Sequence, residues 1–352
     1  MSGFNGFGGL QKGIKSFGLP RLIIAVFLIS LFFIGGFTGI SPARSVSDVI
    51  NRFGMNGILV LSMVPMIQSG CGLNFGLPVG IVSGLLGAVL SLELQLTGPF
   101  GILAAMLIAA VFAVILGFGY GALLNRVKGD EMIIATYVGY SLVYLMSLFW
   151  IILPFKNPSS VQGFKGEGLR TTISVGEYWG DSISGFLNIK IGPRFTIPTG
   201  MLLVFAVMCL IIWLFFKTKT GTAITAVGSN PEYARAAGIN INKMRIISVM
   251  FSTVLAAIGI IIYQQSFGFI QLYNAPLAFH FPAVAAVLLG GASVNKANIP
   301  NVIIGTILFQ GILTMTPSVI NNLIAIDASD VLRIIVTNGL ILYALTRKER
   351  QI

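Results

Sequence analysis

Apolar positions along the chain form long unbroken runs instead of the 3.6- or 2-residue alternation of half-buried elements. The windows 22–40, 100–124, 197–216 and 246–265 each hold 18 or more residues with no charge, enough for a helix to cross about 30 Å of hydrocarbon. With Gly, Pro and charge read as punctuation, the pattern predicts ten membrane segments near 22–40, 54–69, 78–92, 100–124, 131–154, 197–216, 246–265, 279–291, 300–316 and 331–346. Two of these, 54–69 and 279–291, look short. The expected fold class is therefore all-α: a polytopic membrane protein with about ten transmembrane helices, forming a single transmembrane domain over 1–352.

Two interruptions resemble each other. The stretches "SMVPMIQSGCGLNFGLPVGIVSGLLGAVL" at 62–90 and "AAVLLGGASVNKANIPNVIIGTILF" at 285–309 each run from apolar sequence through a Gly-rich polar break and a proline to a second Gly-spaced apolar run. They suggest two pseudo-repeated halves. Paired breaks of this kind point to a substrate route, although ordinary helix hairpins with Gly at close contacts have the same pattern.

Charge adds orientation. With an even number of spans both termini share a side. Placing that side in the cytoplasm gives it fourteen of the 22 Lys and Arg and four of the 11 acids, as the positive-inside rule requires. Five of the other bases fall in the long 155–196 loop, where the rule has less force. Turn residues and alternating β-branched positions there predict an extracytoplasmic cap with a short hairpin. The 217–245 connection becomes the largest cytoplasmic loop. Mean hydropathy of +0.91 and 9% charged residues agree with a membrane protein. The bases are scattered between spans, with no single basic face to suggest nucleic acid. Lys12, Lys15 and Arg21 precede the first apolar run, which is longer than a signal-peptide h-region and reads as an anchor. Cys71 and Cys209 lie in or beside apolar runs and read as free thiols.

Candidate chemistry is sparse. His280 is the only histidine, so neither a multi-His metal site nor a catalytic triad on another histidine is available, and no catalytic or cofactor set is expected. "GGLQKGIKS" at 8–16 lacks the Gly-Lys step of a phosphate loop, so any ATP would be bound by another chain. Buried carboxylates are scarce, which argues against a proton- or sodium-coupled carrier. The polar groups expected at membrane depth are neutral: Gln68, Asn74, Gln264, Gln265, Asn274 and His280. They suit an uncharged, polyhydroxylated solute, or else helix packing.

The strongest local signal is "GSNPEYARAAGININKMRI" at 228–246. Ser229 or Asn230 can cap a helix, Pro231 suits its first position, Glu232 its positive end and Gly238 the residue past its end. A helix of two turns is marginal alone, and its cytoplasmic place calls for a docking partner. With only Tyr233 as a bulky apolar residue it makes a poor lipid-surface helix, while Ala234, Ala236 and Ala237 permit close approach to a protein groove.

These residues are similar to the cytoplasmic coupling loop of ABC-transporter permeases in the monosaccharide and branched-chain amino acid group. Gly228, Asn230, Glu232, Ala234, Arg235, Gly238, Ile239 and Asn240 carry the match, and "FPAVAAVLLGGASV" at 281–294 and "SGCGLNFGLPVG" at 69–80 resemble the group's Gly blocks. The resemblance implies a prokaryotic cell-membrane importer subunit, paired with a second permease copy or a paralogue, two cytoplasmic ATPases and an extracytoplasmic solute-binding protein. It implies ATPase coupling through 231–239, with Tyr233 in the docking helix. Many sugar permeases of this group have an acidic Gly-Ile-Asp-Leu-Ser run where this chain has Asn74, which keeps the hydrogen-bonding shape and loses the charge. Sugar, nucleoside and branched-chain amino acid permeases stay open as readings, as does a stand-alone carrier or channel.

Overall fold

The structure is a computed structural model describing residues 19–127, 129–161, 168–192, 194–324 and 329–346. The basic termini lie outside the described residues, so the expectation that both are cytoplasmic is not addressed. In chain order the helices are α1 (Leu19–Phe37), α2 (Pro42–Leu61), α3 (Met63–Gln68), α4 (Leu77–Glu93), α5 (Gly98–Arg126) and α6 (Glu131–Ile152), followed by strands β1 (Thr172–Ser174), β2 (Ile189–Ile191) and β3 (Phe195–Ile197). Then come α7 (Thr199–Lys217), α8 (Lys219–Ser229), α9 (Pro231–Ala236), α10 (Ile241–Phe267), β4 (Phe269–Gln271), a 3-10 turn (Ala275–Ala278), α11 (His280–Leu289), α12 (Ile299–Ile324) and α13 (Ser329–Thr346).

Among the described residues, six helical segments are long and apolar enough to cross a membrane and four apolar helices are shorter. One expectation is corrected. The segment at 54–69 is not short: it is the second half of a helical run over Pro42–Gln68. Hydropathy cut it at the front because Arg44, Asp48 and Arg52 occupy its first turns. The 279–291 segment is short, with α11 only 10 residues long.

Helices α4 and α10 form the centre. α4 is buried along nearly its whole length, which its glycines allow. A Cβ at Gly80 would lie 2.7 Å from the Thr253 carbonyl oxygen, one at Gly84 2.6 Å from that of Ala257, and one at Gly87 2.6 Å from Ala109 Cβ. Small residues four apart thus seat α4 on α10, and the next one seats it on α5. Outer helices turn Phe33, Leu107 and Leu210 outward, as expected of surfaces in contact with lipid.

The bundle has two distinct ends. At one, the 69–76 break, the 217–245 connection, the 290–298 loop and the start of α1 meet. Gln68 Nε2 donates to the Ala297 carbonyl at 2.6 Å, Arg21 to the Gly291 carbonyl at 3.4 Å and Asn125 Nδ2 to the Asn242 carbonyl at 2.9 Å. At the other end sits the cap. The expected hairpin is β2–β3, with Ile189 opposite Ile197. A second pairing joins β1 to β4, with Thr172 opposite Gln271, so the cap is stitched to the segment following α10. The Glu93 carboxylate accepts the amides of Lys156 and Asn157 at 2.9 and 3.1 Å, and Ser47 Oγ donates to the Thr196 carbonyl at 2.6 Å.

Candidate functional site

The helix expected around 231–237 is α9, closed at both ends by its own sequence. Asn230, in extended conformation, accepts the Tyr233 amide at 3.0 Å through Oδ1, and Pro231 takes the first turn. Ser229, the alternative cap, instead donates to the Ala226 carbonyl. Past the last turn, Gly238 has φ +77, a left-handed conformation that glycine adopts without a Cβ penalty. The Ile239 amide reaches back to the Ala234 carbonyl at 2.9 Å and the Gly238 amide to that of Arg235 at 3.0 Å, the paired C-terminal bonds of a Schellman motif. Asn240 then caps α10 by accepting the Lys243 amide at 3.0 Å. Ala234 alone of α9 is buried. Glu232, Tyr233, Arg235 and Ala236 face outward, with Arg235 and Glu232 paired at 3.0 Å. Exposed to water, that pair contributes little to stability, and the side chains remain available to a partner.

Asn230→Ala removes the only side-chain cap on α9. It is expected to cost about 1 kcal/mol of local helix stability, read as faster hydrogen exchange at the Tyr233 amide. An unchanged exchange rate would show that packing, not the cap, holds the turn.

Both flanks of α9 grip the same short break. On the near side, α8 presses Gly228 onto residues 68–70: a Cβ at Gly70 would meet Gly228 Cα at 3.1 Å, and one at Gly228 would run into the Gln68 carbonyl oxygen. On the far side, α10 offers polar groups along one face. Arg245 Nε donates to Cys71 Sγ at 3.0 Å, and an Nη pairs with Glu131 at the start of α6. Ser248 Oγ donates to the Pro65 carbonyl. Ser252 Oγ donates to the Ser62 carbonyl at 2.6 Å and accepts from Asn74 Nδ2 at 2.9 Å. Hydropathy averaging hides these residues, but their spacing of three and then four is one helical face and is visible in "RIISVMFS".

The six neutral polar candidates do not form one cluster. Asn74 is fully engaged: its Oδ1 accepts from the Tyr120 hydroxyl at 3.1 Å while its Nδ2 serves Ser252. Gln68 ties the two Gly-rich breaks, donating to Ala297 and to Asn298 Oδ1. Gln265 Oε1 accepts the Ile183 and Ser184 amides at 3.2 Å and anchors the cap. Asn274 is exposed at the head of the 3-10 turn. Gln264 Oε1 and both ring nitrogens of His280 are buried without a hydrogen-bond partner among the described residues. His280 lies against Phe281 and Tyr140, with ring centroids 4.1 and 5.8 Å away. Cys71 and Cys209 are both free.

The family model described as "Branched-chain amino acid transport system / permease component" covers residues 45–344. The chain belongs to this permease family. The permease is 25% identical over 297 residues to the nucleoside ABC transporter permease protein NupB of Lactococcus lactis subsp. cremoris, covering 81% of this chain and 76% of that one. It is 24% identical over 296 residues to the ribose import permease protein RbsC of Escherichia coli, covering 82% of each. To the autoinducer 2 import system permease protein LsrC of Yersinia pestis it is 27% identical over 249 residues, covering 70% and 62%. The permease is thus a membrane-spanning ABC transporter subunit of the sugar, nucleoside and autoinducer importer group, and the family implies ATPase and solute-binding partners.

Proposed function

We propose that the permease forms one side of the import path for a monosaccharide or similar neutral polar solute and couples it to a cytoplasmic ATPase through residues 231–239. The observation carrying this reading is α9 itself, a capped helix with one buried residue whose flanking helices both hold the 68–74 break. Caps close solvated helices too, but a merely solvated connection has no use for two grips on the interior. The distribution of bases supports placing this end in the cytoplasm: Arg126, Lys217, Lys219, Arg235 and Lys243 all lie there. An extracytoplasmic binding protein would then deliver solute at the cap, and a second permease copy or paralogue would complete the path.

Ribose and nucleosides both contain a pentose ring, which neutral donors and acceptors can bind without leaving a charge unpaired. Of the six polar candidates, Gln264, Gln265 and His280 each keep a buried polar atom without a partner among the described residues, and we carry forward as path residues Gln264 and His280, which take no part in anchoring the cap. The nucleoside reading stands second, supported by the match to the nucleoside permease.

The test is reconstitution with the cognate ATPase and binding protein. Glu232→Ala, Arg235→Ala and Gly238→Val are expected to leave insertion intact and to abolish ATP-driven uptake. Normal uptake with normal copurification of the ATPase in Gly238→Val would reject α9 as the docking element. Solute uptake by the chain without an ATPase would favour a stand-alone carrier.

A further inference from the structure

Three hydroxyls on α6 point the wrong way for a helix surrounded by lipid. Tyr137 and Tyr144 are 65% and 56% exposed, and Ser141 between them is exposed too. At 1.5 Å per residue they lie roughly 9, 15 and 20 Å along a helix about 33 Å long, so Ser141 and Tyr144 fall at mid-depth and outside the interfacial belts where tyrosine is usual. Thr136 and Ser147 on the same helix return their hydroxyls to the Met132 and Val143 carbonyls, each at 2.9 Å. Ser141, Tyr137 and Tyr144 have no such partner among the described residues.

The other outward faces differ. On α5 the corresponding positions are Leu103, Leu107 and Val111, and on α7 they are Leu203, Val207 and Leu210. Facing hydrocarbon suits these aliphatic rows, whereas an unpaired hydroxyl there costs free energy. Two of the three, Tyr137 and Ser141, also line a groove of about 340 Å³ together with Ile134, Val138, Leu142 and Leu145, and Tyr144 lies outside it on the same helix face. Elsewhere on α6, Tyr140 meets His280 at the start of α11, a helix of only 10 residues.

We infer that this outer face of α6, groove included, is a wall of the solute path, with the hydroxyls of Tyr137, Ser141 and Tyr144 exchanging hydrogen bonds with a neutral polyhydroxylated solute. The inference rests on the importer reading above and adds to it the surface along which the solute moves. Aromatic rings alternating with aliphatic side chains offer flat apolar contact to the C–H faces of a sugar ring. The hydroxyls, able to donate and accept, match its OH groups without fixing one orientation. Loose, multiple contacts of this kind suit passage more than capture.

The test is water accessibility in the assembled complex. Ser141→Cys is treated with a charged methanethiosulfonate, with and without ATP, with the parent chain as blank for Cys71 and Cys209 and Leu107→Cys as the lipid-facing control. Labelling of Ser141→Cys roughly tenfold or more faster than the control is expected in at least one state. In parallel, Tyr137→Phe with Tyr144→Phe, which keeps both rings, is expected to lower uptake of ribose or uridine by roughly tenfold, the loss of one or two hydrogen bonds in the path. Labelling no faster than the control in either state, or wild-type uptake by the double Phe variant, overturns the inference. A wild-type complex that moves neither solute refutes the proposed solute class, while the labelling still decides the α6 face.

Discussion

Glu131→Leu is expected to be among the most destabilising single changes in the permease, costing about 3 kcal/mol or more. It leaves the Arg245 guanidinium buried and without its carboxylate. Arg245 is only 7% exposed, and Glu131 is its sole ion-pair partner among the described residues. Pairing of this kind shows a characteristic asymmetry: removing one charge is costly, but replacing both with apolar groups of similar volume is often close to neutral. The double variant Arg245→Met with Glu131→Leu should therefore recover most of the lost thermal stability in detergent. It should not recover coupling, because Arg245 also donates to Cys71 in the break. Thermal unfolding of the two single variants and the double variant separates these roles. A Glu131→Leu chain as stable as the wild type would mean that water reaches Arg245 and the pair is not structural.

Gly228→Val is the second large effect. The α8 backbone lies so close to Gln68 and Gly70 that any β-carbon at 228 overlaps the Gln68 carbonyl oxygen. Relief requires α8 to lift away from the break, since a backbone carbonyl held in a buried turn has no rotamer to escape into. Overpacking of this kind typically costs 1–3 kcal/mol, and here it separates the two surfaces through which movement of α9 would reach residues 68–76. Uptake should be lost while the ATPase still copurifies, because Glu232, Tyr233 and Arg235 are untouched on the outward face. Retained uptake would place the mechanical link on the α10 side alone. Gly70→Ala probes the opposite wall and adds backbone strain, since Gly70 sits at φ +74.

Much of this was legible in the sequence. Unbroken apolar runs mark most of the helices, and the caps of α9 follow residue by residue from Asn230, Pro231 and Gly238, because capping is a local interaction between neighbours in the chain. What could not be read depends on distant partners. β1 and β4 are almost a hundred residues apart, and nothing in "TIS" announces "FIQ". Gln265 reads in the sequence as a path candidate at membrane depth; in the structure it anchors the cap by accepting backbone amides, as does Glu93. The front half of α2 was lost for a different reason: its charges lie on the turns nearest the membrane surface, and a hydropathy window cannot separate depth from polarity. The hydroxyls of α6 were averaged away in the same manner, since a window weighs a residue without asking which way it faces.

The two grips on α10 lie near its opposite ends. Arg245 holds the break at one end, and Gln265, twenty residues on, holds the cap at the other. A continuous helix over that interval spans about 30 Å and is stiff compared with the loops it joins. A tilt of about 5° about one anchor would carry the other through roughly 2.6 Å over that length, more than half the separation of two packed carbon atoms. The helix therefore has the proportions of a rocker arm: whatever bears on the cap and whatever bears on the break act on opposite ends of one lever.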